Sequence, residues 1–271
     1  MIPLPINRIL LKLEAKTRIR RSRPSALMIA MLVIAGLLML EMLSAGVLGL
    51  TNIPIEMPEK ITNMETYELA VQSMNEQLFT FFRNYRPSPV AVALALALSL
   101  MHLMLNAGFT IYALHIARDE KADYGNLLDA FPIFGRVLAL VILRGLIVFV
   151  LSLAFVIPGV IMAYRYRQAF YLLVEHPEYS VVRCLKESGR LMRGRKAELF
   201  VLDLSFLGWK IAQSAIPYFG TFIGVWVLPY TEITYAGYYC HIAGAKTAPD
   251  GKPFIEGEFR DDSDSDMPWE K

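Results

Sequence analysis

The chain has 271 residues, 55% of them hydrophobic and only 19% charged, with a formal net charge of +2 and a mean hydropathy of +0.41. Ordinary soluble domains carry nearer a quarter charged residues, so a soluble globular fold is excluded. Two cysteines, Cys184 and Cys240, give no disulfide framework.

The first 25 residues form a basic arm. Arg8, Lys12, Lys16, Arg18, Arg20, Arg21 and Arg23 face Glu14 alone. An apolar run over 26–50 follows, broken by Glu41, and is too long for a signal-peptide core. It reads as a retained first span. Cations beside a first span place the N-terminus in the cytoplasm and draw it to anionic headgroups. Nucleic acid is not the expected partner, because the arm is short and abuts a span.

Residues 51–86 carry five glutamates against Lys60, Arg83 and Arg86, which suits an outside loop. The stretch ITNMETYELAVQSMNEQLFTFF within it has helical spacing and is expected along the outer surface. A second span covers 88–116. The loop RDEKADYGNLLDAFPIFGR is nearly neutral. From 137 the chain is apolar again apart from Arg144, and then meets FVIPGVIMAYRYRQAFYLL.

This stretch decides the topology. Residues 165–196 hold eight cations against Glu175, Glu178 and Glu187, and belong in the cytoplasm by the positive-inside rule. One crossing over 137–164 would leave them outside. A turn at Pro158-Gly159 gives spans over 137–157 and 159–175 and removes the conflict. A proline kink within one long helix is the competing reading.

SVVRCLKESGRLMRGRK reads as an amphipathic helix over 180–194, with Ser180 as N-cap and Gly194 as stop. Val182, Leu185 and Met192 are expected on its apolar side. Arg183, Lys186, Arg190 and Arg193 line the neighbouring side as candidate contacts to anionic lipid. Two last spans, 198–215 and 220–243, follow. Gly220 and Gly224, and the series Ala236, Cys240 and Gly244, are small-residue faces for close helix approach, inside the chain or in a homodimer. Residues 244–271 form an acidic tail whose DDSDSD has the composition of a disordered segment.

The fold class is therefore all-α: a polytopic helical membrane protein of about six transmembrane helices (26–243) plus a cytoplasmic amphipathic helix, with both termini cytoplasmic in the cell membrane. Charges inside spans are costly and are usually paired. Asp203 with Arg165 or Arg167, and Glu41 with Arg144, are the candidate pairs, while Lys210 is expected to snorkel outward.

The segment from Ile157 to Tyr239 resembles a bacterial membrane family, domain of unknown function 975. The residues that carry the resemblance are IPGVIMAYRYRQAFYLL, SGRLMRG, LFVLDLSFLGW and VLPYTEITYAGYY, and LLDAFPIFGR is similar to a further family segment, with Phe131 matching and Leu128 departing. The proline–glycine step is also similar to the membrane domain that anchors some glycerophosphodiester phosphodiesterases. The resemblance implies about six spans and no reaction.

No catalytic constellation is evident. His102, His115, His176 and His241 lack metal-ligand spacing with a carboxylate, and no phosphate loop or nucleophile elbow occurs. Neither a metal nor a cofactor is expected. A non-enzymatic scaffold, assembly or regulatory factor is the leading reading. A small transporter or channel is the alternative, and a lipid-acting membrane enzyme the second.

Overall fold

The structure is a computed structural model, and it describes residues 7–50, 63–215 and 219–244. All regular structure among them is helical: α1 (Arg8–Arg21), α2 (Ala26–Val47), α3 (Met64–Asn84), α4 (Pro89–Ala117), α5 (Phe134–Ala154), α6 (Val156–Arg165), α7 (Ala169–Glu175), α8 (Val181–Leu191), α9 (Lys196–Ala215) and α10 (Phe219–Ile242), with a 3₁₀ turn at Tyr124–Leu127. The acidic tail beyond Gly244 lies outside the described residues.

Among the described residues, α2, α4 and α5 are long and apolar enough to cross a membrane. Their outward faces are apolar too. Met28, Met31, Met39 and Met42 on α2, and Ile142, Leu146, Phe149 and Leu153 on α5, are all exposed. Water does not suit such belts, and hydrocarbon does. Neither α6 nor α7 reaches the required length alone, and α9 and α10 do not meet the same standard.

Helix α10 is the hub, packing on α1, α2, α4 and α9. The basic arm is itself a helix, α1. Leu11, Ala15 and Ile19, four residues apart, are buried in it. Lys12 lays its ammonium over the Phe206 ring and donates to the Ser205 carbonyl on α9 (3.4 Å). Burial, and then Arg8, push the Lys12 ammonium below its usual range.

Helix α3 starts at a capping box in which Asn63 and Thr66 bond each other's backbone. The Tyr85 hydroxyl beyond its end donates to the Leu48 carbonyl, 2.5 Å away. The loop after α4 folds back so closely that a side chain on Gly108 would strike the Leu127 carbonyl.

The chain doubles back after α5. Arg136, at the start of α5, donates to the Tyr179 carbonyl (2.6 Å) past the end of α7, so the return leg runs antiparallel. The reversal lies at Phe155, three residues before Pro158-Gly159. Pro158 sits instead in the first turn of α6, where a missing N–H costs nothing. Gly159 makes the close approach between the legs, since a Cβ there would lie 1.9 Å from Ser152 Oγ.

The amphipathic helix is α8. The Ser180 hydroxyl accepts from the Arg183 N–H (3.3 Å), and Gly194 takes a φ of +78° just past the end. Its buried side is Cys184, Leu185, Ser188 and Gly189, with Met192 beyond. Val182 does not share that side and is exposed. The apolar side faces α5 and α7 of the same chain.

Gly159→Ala is expected to lower the thermal midpoint of the purified protein in detergent, by overpacking worth about 1–3 kcal/mol. Gly145→Ala, where the new methyl meets nothing within 4 Å, should leave the midpoint unchanged or raise it. Size-exclusion thermal melts of both variants check this.

Candidate functional site

The return leg breaks between α6 and α7, and the break organises the polar interior. At its end α6 tightens into 3₁₀ bonding. The Arg167 N–H goes to the Tyr164 carbonyl (3.3 Å), and the Ala169 N–H to the Tyr166 carbonyl (3.2 Å). In a regular helix those donors would reach four residues back. The tightening frees two groups, the Arg165 carbonyl and the Gln168 N–H. Ser188 on α8 takes both: its hydroxyl donates to the Arg165 carbonyl (2.8 Å) and accepts from the Gln168 N–H (3.2 Å). Gly189 beside it lets the Arg165 guanidinium lie against α8, where a Cβ would sit 2.7 Å from Nε.

The break sends the two arginines different ways. Arg165 goes to α8. Arg167 goes to α9, with its guanidinium 3.6 Å from Asp203 Oδ2 and over the Tyr235 ring of α10 (4.8 Å). The Tyr164 hydroxyl donates to the same Asp203 oxygen (2.8 Å). Asp203 thus ties together the return leg and α9, and Arg167 adds α10. The buried Gln168 Oε1 beside this centre lacks a hydrogen-bond partner, while the Tyr235 hydroxyl lies close to Asp203. Gln168, only 2% exposed, bonds through its amide nitrogen to Met192 Sδ (3.7 Å).

Glu41 and Arg144 are not brought together. Helix α2 packs mainly on α4 and α10, whereas α5 packs mainly on α6, α7 and α8. Glu41 is exposed.

Sequence reasoning missed Glu232. It sits on α10, accepts from the Thr110 hydroxyl of α4 (3.4 Å), and faces the charges of Arg167 and Lys210. The signal was present: a carboxylate three residues after Pro229 in an otherwise apolar helix, inside the VLPYTEITY stretch.

A second network closes the end of the bundle where α1, α8 and the last turns of α10 gather. Glu175 pairs with Arg118 and accepts from the Tyr239 hydroxyl. Tyr239 stacks on Tyr171 at 4.8 Å. Arg18 bonds both oxygens of Asp119 (3.1 and 2.9 Å) and pairs with Glu14. His115 contacts Glu120 at 2.6 Å.

Arg183, Lys186 and Arg190 on α8, and Arg193 just past its end, are exposed. Arg183 covers the Tyr179 ring (3.8 Å), and Arg190 pairs with Glu187 (3.0 Å). Cys184 is buried, and burial pushes its thiol up, which is the setting of an inert cysteine. The small-residue faces are filled within the chain except at Gly244, which is exposed with nothing within 4 Å of a Cβ there. A Cβ on Gly220 would strike the Gln213 carbonyl, Gly224 faces Gln213 and Ile34, and Ala236 and Cys240 are fully buried.

These features define a helical, membrane-like bundle built around a broken return leg. Residues 145–246 match the family described as protein of unknown function (DUF975). The match begins within α5 and takes in the break, Ser188, Asp203 and Glu232. Thr110, Arg118 and the whole of α1 and α2 lie outside it. No curated protein and no solved structure matches the chain.

Asp203→Asn and Arg167→Gln are each expected to lower stability. The double variant should lose less than the sum, by a coupling of about 0.5–3 kcal/mol. Thermal melts of the four proteins measure this, and strict additivity would mean that the contact carries no coupling energy.

Proposed function

We propose that this protein is a six-segment integral membrane protein of the cell membrane that serves as a non-enzymatic scaffold, assembly or regulatory factor. In this reading 156–175 crosses as one interrupted leg of twenty residues, about 30 Å at helical rise. Helices α9 and α10 are the fifth and sixth crossings, and both termini lie in the cytoplasm. The exposed cations of α1 and α8 rest on anionic headgroups. Homodimerisation is not required by this reading, since Gly220, Gly224, Ala236 and Cys240 are packed inside the chain.

The observation that carries the reading is the use made of the interior charges. Arg167, Asp203 and Tyr164 bond one another across helices, in the manner of a structural tie. A second reading, a small transporter, is favoured by one observation: beside the interruption of the leg, the buried Gln168 Oε1 has no hydrogen-bond partner.

Topology is tested by cysteine labelling in intact cells. Ile157→Cys, at the exposed hairpin tip (74% exposed), should react with an impermeant maleimide from outside. Lys186→Cys should react only after the cells are opened. Labelling of both from the same side would rule out six segments.

Role is tested in vesicles. The reconstituted protein is expected to pass protons and potassium no faster than empty vesicles. A flux that Asp203→Asn abolishes would establish the transporter reading instead.

A further inference from the structure

Charge is unevenly satisfied at the end of the bundle where α1, α8 and the end of α10 gather. The carboxylates there are engaged: Asp119 with Arg18, Glu120 with His115, Glu175 with Arg118, Glu178 with His176 and Glu187 with Arg190. The cations are in excess. Lys186 on α8, Arg193 just past its end, and Lys16, Arg20 and Arg21 on α1 are exposed and make no ion pair among the described residues. The chain holds a matching excess of anions. Residues 245–271 carry eight carboxylates against four cations, with Asp261, Asp262, Asp264 and Asp266 in one run.

We propose that the acidic run Asp261–Asp266 docks on the basic face of α8 and competes there with anionic lipid headgroups. The tail leaves from the right place. The Tyr238 hydroxyl, near the end of α10, donates to the Arg195 carbonyl (3.3 Å) just past α8. Tyr239 and Cys240 share a core cluster with Cys184 and Leu185 of α8. Asp261 follows Gly244 by seventeen residues, which reach at most ~60 Å when extended, whereas α8 is only ~16 Å long.

The face suits a run of carboxylates better than a folded partner. It is a row of exposed cations on a helix whose apolar side already packs on α5 and α7. A tail tethered to the same molecule acts at high effective concentration. Freed of the tail, the face is open to headgroups; occupied, it is neutralised. The tail contact needs only that both elements lie at one end of the bundle. The competition rests on the headgroup reading above, and the two are tested separately.

The test uses the full chain with Val182→Cys and Ser263→Cys, both charge-neutral. Val182 is exposed on α8, and the native Cys184 and Cys240 are fully buried, so each single variant is the control. In uncharged phosphatidylcholine vesicles at low salt the pair should form a disulfide under mild oxidation. Replacing the four aspartates by Asn, or raising salt to about 1 M, where screening shortens to ~3 Å, should cut the yield severalfold. Ser263→Cys paired with Val90→Cys, at the far end of α4, should give none. A yield indifferent to tail charge and salt, or equal with Val90→Cys, overturns the docking. Phosphatidylglycerol in the vesicles should also cut the yield severalfold; if docking occurs and phosphatidylglycerol leaves it untouched, the competition is overturned while the contact stands.

Discussion

A backbone carbonyl and a backbone N–H freed inside an apolar bundle must find partners, because water is not there to supply them. The end of α6 creates one of each, on Arg165 and Gln168, and a single hydroxyl, Ser188, answers both. Much of the family-matched segment follows from that contact. It fixes α8 against the return leg with its basic side outward. It also permits the tightened turn that swings Arg167 toward Asp203 while Arg165 stays on α8. Without Ser188 the break would leave two orphaned groups, costing about 1–3 kcal/mol each.

The interior charges are then positioned by helices that the break brings together. Asp203 gathers Tyr164 and Arg167 from the return leg, and Arg167 gathers Tyr235 from α10. Glu232 sits on the same helix, three residues before Tyr235, and is bonded to Thr110 on α4. Four elements thus share one polar centre. The other network, around Glu175, Arg118 and Tyr239, fixes where the return leg finishes. The leg is held at its break and at its end, which keeps a chain of two short helices in one place.

Much of this was legible beforehand. Apolar runs of span length, the amphipathic repeat of α8, its Ser180 cap and its Gly194 stop are properties of single segments, and the structure has helices at those places. The reversal between α5 and α6 was legible as a need, because the cations after it belong on the side of the basic arm. Its position was not. Pro158 and Gly159 are common turn residues, but Pro also suits the first turn of a helix, and the chain uses it so. The pairing of Glu41 with Arg144 failed for a different reason. Both are charges in apolar helices, yet α2 packs mainly on α4 and α10 and α5 mainly on α6, α7 and α8. Glu232 was overlooked because it divides two apolar runs that read as clean on either side.

The sequence by itself determined a helical chain too apolar for water, the approximate places of its long helices and of α8, and the gathering of cations in the N-terminal arm and near α8. Those features rest on composition and on the 3.6-residue period, which act within a segment. Only the tertiary structure decided that Arg167 and not Arg165 meets Asp203, that Ser188 serves the break, and that Glu232 joins the polar centre. Residues two apart on a helix point about 200° apart, so both arginines could not reach one carboxylate. The local tightening at Tyr166–Gln168, and the helix that packs across it, settled which one does.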